Sequence, residues 1–386
     1  VHERYFPERL IYRMKKMKNV LFVHSSSELY GSDRSLLNIV KNLDKNEFNV
    51  FVLLPCQGPL VEEMRKFKNI TVEIYEVAVL RRKNLSIRGG VEYIKKLIQS
   101  TAFIKSYIKR NNIDIVDTNT AVVFPGAIAA KHCGIKSVWH IREIIKSNLE
   151  NNVISLMMNR YADIIVANSK STGGALRVKK EKIRVVYNAV EDCSIGSMKH
   201  EGLVVGMAGR INRWKGQKLF VDMAEIVHHK FPNAIFEIAG EAYTGEEYLK
   251  VELQQYIHEK QLDNHVKLLG QVNNMKEFYE GLDVFVRPSI QPEPFGLVII
   301  EAMEYEIPVV ATNHGGPVEI VTDGEDGYLV DYTSPNQMAE KVEILLSDES
   351  LRRRMGLCGA NKQKNKFSVS AMVTGVERVF NEVTNE

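Results

Sequence analysis

Short apolar runs recur along the chain, and between them apolar residues return every three or four positions. The first set is Asn19–His24, Phe48–Leu54, Ile70–Val77, Ile113–Asp117, Ser137–Ile141, Asp163–Asn168 and Ile183–Tyr187. A second set is Leu203–Arg210, Ala234–Ala239, His265–Leu269, Asp283–Arg287, Val309–Ala311 and Gly327–Val330. These runs are continuous rather than alternating, which predicts strands covered on both faces. The intervening stretches carry helical spacing: Leu36, Leu37, Val40 and Leu43; Ile94, Leu97, Ile98, Ile104 and Ile108; then Lys218 to about His229, Gly296 to Tyr305, and Phe367 to Val383. Strand and helix in alternation predict an α/β chain built on mainly parallel, doubly wound sheets.

The pattern stops and restarts once. Asp192 to Glu201 is rich in Ser, Gly and polar residues, as a linker would be. The expected organisation is a domain at 17–190, a linker at 191–201, a second domain at 202–365 and a helical segment at 366–386. Residues 1–16 mix five basic side chains with apolar ones; they read as a leader or as a basic amphipathic segment.

Composition narrows the class. A chain of 386 residues accommodates two domains without staples. Cys56, Cys133, Cys193 and Cys358 form no Cys-x-x-Cys pair and read as reduced thiols. There is no apolar run of transmembrane length, and a net charge of +3 gives no argument for nucleic acid. The expected location is cytoplasmic. The basic stretches at Arg81, Arg82 and Lys83 and along Tyr93 to Arg110 read either as a solvated face or as a surface for an anionic membrane or acceptor.

The chemistry concentrates between Pro288 and Gly316. Glu293 and Glu301 bracket a loop and the start of a helix, with Pro294 and Gly296 where that helix begins. The free N–H groups of a helix start bind anions. A phosphate there would have a carboxylate on either side for hydroxyl groups, which is the layout of a nucleotide sugar. On the pair alone, two solvated surface glutamates are the competing reading. Arg210 and Lys215, at the crevice end of another strand, are the candidates for neutralising a diphosphate. His140, in Trp139-His140-Ile141-Arg142-Glu143, and Asn168-Ser169 close two first-half strands at the same edge. Gly31 and Ser32 fall in a polar loop expected over Ser25–Asp33. There is no Asp-x-Asp triad of the kind that holds a divalent cation on a diphosphate.

Glu-x7-Glu with Pro-Phe-Gly after the first Glu, Gly209-Arg210-x4-Lys215-Gly216, the His140 segment, Asn168-Ser169 and Gly315-Gly316-Pro317-x-Glu319 closely resemble the motifs of the family 4 retaining glycosyltransferases. The resemblance runs over roughly residues 17–380, with Asn188-Ala189 where the family usually has Asn-Gly. It implies the GT-B fold: two Rossmann-like domains facing a central cleft, acceptor on the first, donor on the second. It implies donor contacts from Gly31, Ser32, Arg210, Lys215, Gly270, Val272, Glu293, Phe295, Gly296, Leu297, Val298 and Glu301. Glu301 would take the ribose, and backbone from Gly270 to Val272 the base. His140, Glu293, Arg210 and Lys215 would be the catalytic group. It implies glycosyl transfer with retention by front-face attack, with no cofactor and no metal. The donor would be a hexose or N-acetylhexosamine diphosphate sugar, UDP by default and GDP as the variant. A glycan or lipid-linked acceptor in bacterial envelope polysaccharide synthesis completes the expectation, at the inner face of the membrane. Nucleotide-sugar epimerases share the fold, and a non-catalytic sugar-nucleotide-binding subunit is the other alternative.

Overall fold

The computed structural model describes residues 17–81, 84, 86–191 and 202–385. The segment 1–16, Arg82, Lys83 and the linker beyond Glu191 lie outside the described residues. Among the described residues thirteen strands follow in chain order: β1 Lys18–Val23, β2 Phe48–Leu54, β3 Ile70–Ile74, β4 Ile115–Asn119, β5 Lys136–Ile141, β6 Ile164–Ala167, β7 Ile183–Val185, β8 Val204–Ala208, β9 Ile235–Ala239, β10 Val266–Gly270, β11 Val284–Arg287, β12 Val309–Thr312 and β13 Gly327–Val330. Each falls on an apolar run read from the sequence.

They build two parallel sheets, in the orders β3-β2-β1-β4-β5-β6-β7 and β10-β9-β8-β11-β12-β13. Each order reverses beside its first strand, so each sheet has a crevice at its carboxyl edge: between β1 and β4 in one, β8 and β11 in the other. The continuous apolar runs explain the layering. In β1, Val20 and Phe22 enter a core capped by the helices Gly31–Asn42 and Val369–Val383, while Leu21 and Val23 enter a separate core under the helix Ile87–Arg110. Each such side chain contributes about 1.5–3 kcal/mol by leaving water.

The helix Val369–Val383 packs on the first sheet although it follows the second. Its Phe380 meets Phe22 and Phe48 edge-on, at 6.0 and 5.7 Å between ring centroids. The crossing point is tied: Val190 bridges Ser368, and the Val190 amide donates to the Phe367 carbonyl.

Two expectations are corrected. Gly31 and Ser32 are not in a loop but in the first turn of Gly31–Asn42. Asp33 explains this: one carboxylate oxygen accepts from the Tyr30 amide at 3.0 Å, and the other lies 2.7 Å from His24 Nε2. That pins the helix start to the end of β1. In Ile87–Arg110, Leu97, Ile104 and Ile108 face inward, whereas Ile94 and Ile98 are exposed.

Candidate active site

The loop after β11 is organised by Glu293, which is 2% exposed. Its Oε1 accepts from Lys215 Nζ at 2.6 Å, from Ser289 Oγ at 2.6 Å, and from Arg287 Nη2. Its Oε2 has no hydrogen-bond partner among the described residues and is a free acceptor of the site. Burial alone would raise the Glu293 carboxyl, but Arg287 and Lys215 hold it down at about 2. Burial, then the neighbouring Arg287 charge, pull Lys215 down to about 8 against the attraction of Glu293. Two cations on one carboxylate leave the cluster with an excess positive charge, and Lys215, already lowered by burial, is the cation able to shed it.

Two glycines allow this approach. A Cβ on Gly216, at φ 81°, would lie 1.7 Å from the Pro288 carbonyl oxygen. One on Gly209, at φ 149°, would lie 2.8 Å from Arg287 Nη1. The Gly-Arg-x4-Lys-Gly pattern is thus what lets Lys215 and Arg287 close on the β11 loop. Arg287 Nη1 is anchored in turn by the Ala208 carbonyl at 2.8 Å.

The helix Leu297–Glu304 starts after Gly296, with no side chain capping it, so its first amides remain for a ligand. The start of Gly31–Asn42 meets it from the other domain: a Cβ on Gly31 would be 3.4 Å from Leu297 Cδ1. Two helix N-termini at one place favour an anion. Arg210 stands beside them with its guanidinium 5.0 Å from the Tyr30 ring and 4.1 Å from the Tyr243 ring, one aromatic from each domain. Lys146 also crosses, bonding Gln291 and lying 5.4 Å from the Trp214 ring.

Glu301 accepts from the Tyr279 hydroxyl at 2.7 Å. Burial raises its carboxyl, opposed by that hydrogen bond and by Arg34 and Arg287. Val272 packs in the same apolar cluster as Tyr279, Leu297 and Val298, and Gly270 ends β10 at φ 67°. The base-side turn and the carboxylate expected to take ribose therefore share one wall.

On the first domain, His140 is buried at the end of β5, with Nδ1 3.3 Å from Asp117 Oδ1. Burial and then Arg142 push the imidazole well below its ordinary value, so it is neutral. Asp117 is raised to about 8 by burial, against the pull of Arg142, and is a neutral acid near pH 7. Asn119 Nδ2 donates to Asp117 Oδ1 at 2.9 Å, and Asn119 Oδ1 accepts from Arg142 Nη1. Glu143 does not pair with the Arg142 guanidinium; it accepts from the Ala121 and Arg142 amides.

Some expected site residues have other work. The Phe295 ring lies in the core, with ring centroids 5.9 Å from Tyr187 and 5.7 Å from Phe367, so only its backbone is left for a donor. Gly315 and Gly316 make room for the backbone of Glu293 and Phe295 rather than for a ligand. Arg81 is exposed, with its amide on Asn84. Arg287, buried at the end of β11, and Asp117, buried in the middle of β4, were not among the expected site residues. An Arg closing an otherwise apolar strand was the available signal for the first.

Two facing doubly wound parallel sheets, with a carboxylate–lysine pair and a helix start between them, define a GT-B glycosyltransferase. Residues 30–192 match the family described as Glycosyltransferase Family 4, and residues 195–362 match Glycosyl transferases group 1. The chain belongs to the family 4 glycosyltransferases. It is 30% identical over 242 residues to the capsular polysaccharide biosynthesis glycosyltransferase CapM of Staphylococcus aureus, covering 63% of this chain and 61% of that protein. It is 28% identical over 236 residues to a Campylobacter jejuni N-acetylgalactosamine-N,N'-diacetylbacillosaminyl-diphospho-undecaprenol 4-alpha-N-acetylgalactosaminyltransferase, covering 58% of this chain and 62% of that protein. Each match thus spans about three-fifths of the relative's length. Among solved structures, Anabaena Alr3699/HepE in complex with UDP and glucose superposes with a TM-score of 0.77 at 24% identity, covering 95% of this chain and 100% of that one.

Proposed function

We propose that this glycosyltransferase moves a hexose or N-acetylhexosamine, with retention and without a metal, from a UDP-sugar to a glycan or lipid-linked acceptor in bacterial envelope polysaccharide synthesis. The observation that carries the reading is the Lys215–Glu293 pair at the head of Leu297–Glu304. It joins a carboxylate with one free oxygen to a cation with hydrogens to spare. In this reading Glu293 Oε2 accepts from donor-sugar hydroxyls. Lys215, Arg210 and the amides of Leu297 and Val298 take the diphosphate, and Glu301 takes the ribose. Preorganised positive charge at the leaving group replaces a metal. Neutral His140 holds the sugar from the acceptor side.

The electrostatics support front-face attack. A carboxyl held at about 2 by two cations is a poor nucleophile and has no proton to give. The acceptor proton then goes to the leaving diphosphate, as the new glycosidic bond forms on the face the diphosphate departs from. The UDP and glucose bound in the HepE structure, and the diphospho-undecaprenol in the name of the Campylobacter protein, support the donor and acceptor classes.

The acceptor-side surface supports work at a bilayer. Val91, Ile94 and Ile98 form an outward stripe on Ile87–Arg110, 64%, 57% and 65% exposed, continued by Lys105 and Lys109. Leu149 and Leu156 are exposed on the helix Asn148–Tyr161. Apolar side chains flanked by lysines suit an anionic bilayer. Among the described residues no helix is long and apolar enough to cross a membrane.

The test is thermal shift against UDP, GDP, ADP and their sugar conjugates with and without EDTA, followed by anomeric NMR of the product. UDP-dependent stabilisation indifferent to EDTA and a retained anomeric configuration are expected. A metal requirement or an inverted product overturns the mechanism. Conversion of the donor with no acceptor overturns transfer in favour of epimerisation. Co-sedimentation with phosphatidylglycerol vesicles, abolished by I94S/I98S, tests the surface; unchanged sedimentation would refute it.

A further inference from the structure

The Glu293 loop is held from two directions, and only one belongs to its own domain. From within, Arg287 and Ser289 hold the Glu293 carboxylate, and the Gly316 amide donates to the Glu293 carbonyl at 2.8 Å. The next carbonyl, that of Pro294, takes its hydrogen bonds from the other domain: Ser169 Oγ donates to it, and so does Thr172 Oγ1 at 3.2 Å. Both hydroxyl residues are fully buried. The contact is reciprocated a few ångströms away. Glu319, from the short helix Pro317–Ile320 of the second domain, accepts from the Lys170 and Ser171 amides, each at 2.7 Å. Its Oε2 also accepts from the Tyr187 hydroxyl at 3.2 Å, and the Lys366 ammonium lies 4.8 Å from the Tyr187 ring. The stretch from Ser169 to Thr172 therefore gives donors to two segments of the second domain, one of them adjoining Glu293.

Resting on the reading of Glu293 as the sugar-gripping carboxylate, we infer that Ser169, Thr172 and Glu319 are positioning residues that hold the backbone immediately after Glu293, and with it the aim of the carboxylate at the sugar, only when the two domains are clasped together. If the domains part, the Pro294 carbonyl loses both donors and Glu319 loses both amides. The loop is then fixed at Glu293 by its own domain but free one residue later, where the chain turns into Leu297–Glu304. On the nucleotide side of the site, Glu301 and the Gly270–Val272 turn lie on the second domain and do not depend on the clasp. The sugar side does. Gripping the sugar and closing the domains are thus one event, and an open enzyme holds a nucleotide without gripping its sugar.

The experiment compares calorimetric affinities for UDP, UDP-glucose and UDP-N-acetylglucosamine, with melting temperatures, across four proteins: wild type, Thr172→Val, Thr172→Ser and Glu319→Gln. Thr172→Val removes a hydroxyl at constant shape; Thr172→Ser keeps it. Glu319→Gln sets an NH2 group against one of the two amides. The expected result is UDP affinity within about threefold of wild type in all four, and a UDP-sugar to UDP affinity ratio up to about tenfold lower in Thr172→Val and Glu319→Gln, the upper worth of one ordinary hydrogen bond. Thr172→Ser should keep the wild-type ratio. An unchanged ratio in Thr172→Val and Glu319→Gln overturns the positioning role. So does a parallel loss of both affinities with melting temperature, which would make the contacts structural only. A wild type that binds none of the three ligands overturns the nucleotide-sugar reading itself, and the positioning role with it.

Discussion

Replacing Arg287 with Met is the sharpest test of how the site is built. The guanidinium is 1% exposed and makes two contacts that nothing else replaces: Nη2 on the Glu293 carboxylate and Nη1 on the Ala208 carbonyl at 2.8 Å. Removing one partner of a buried ion pair leaves a buried charge short of compensation, at a cost of about 3–5 kcal/mol. Lys215 and Ser289 remain on Glu293 Oε1, so the lower end applies. For a unit of this size each kcal/mol moves the melting temperature by roughly 2–4 °C, so Arg287→Met should melt roughly 10 °C below wild type. The double variant Arg287→Met/Glu293→Gln removes both charges of this pair and leaves Lys215 without its carboxylate; because Lys215 is able to shed its proton, the double variant should recover part of that loss. Differential scanning calorimetry of the four corners of the cycle measures the coupling. If Arg287→Met melts within about 2 °C of wild type, or if the double variant is no better than the single, the account of Glu293 as a carboxylate held by two buried cations is wrong.

Three further outcomes follow from the same geometry. UDP binding should favour protonated Lys215, whose ordinary value of 10.5 is lowered to about 8; affinity should therefore be flat just below that pH and fall above it by up to about tenfold per pH unit, lost in Lys215→Met, as read by calorimetry. Asp117 keeps its proton in the fold up to about 8 but loses it near 3.8 ordinarily, so wild-type stability should fall as pH rises between those values; the melting advantage of Asp117→Asn should widen over that window and level off above it, and a gap constant with pH would refute the assignment. Phe380→Ala should cost about 3–5 kcal/mol by denaturant unfolding, because it empties a site fully enclosed by Phe22 and Phe48.

The strands were legible because each is covered on both faces, and a continuous apolar run is what that burial requires. Phe48–Leu54 and Gly327–Val330 fall where the pattern placed them, and the others shift at their ends by a few residues. The helix at Gly31 begins earlier than its apolar spacing because Asp33 bonds back to Tyr30, a local contact that periodicity does not register. Helical spacing in Ile87–Arg110 marked apolar positions but not which way each points, and Ile94 and Ile98 turn out to solvent. At the site, Lys215 and Glu293 were readable as a motif at fixed spacing, but their direct contact was not, since they lie far apart in sequence. Arg287 and Asp117 were hidden for the opposite reason. Arg287 ends β11, and Asp117 ends the apolar run read from the sequence although β4 continues through it to Asn119; a single charged residue there reads as a boundary, and only the packed structure shows what it faces.

The return of Val369–Val383 to the first sheet has a consequence for how the chain is made. Val20, Phe22 and Phe48 wait for Phe380 to close their core, and Phe380 is synthesised long after β7. At ordinary translation rates of about 5–20 residues per second, that interval is roughly 10–40 s. During it the first domain stands on the ribosome with an apolar face uncovered, while the second domain has all its strands and can finish. Vectorial synthesis therefore inverts the order of completion: the half that emerges first matures last, and the interval is a window in which a chaperone has a defined surface to hold.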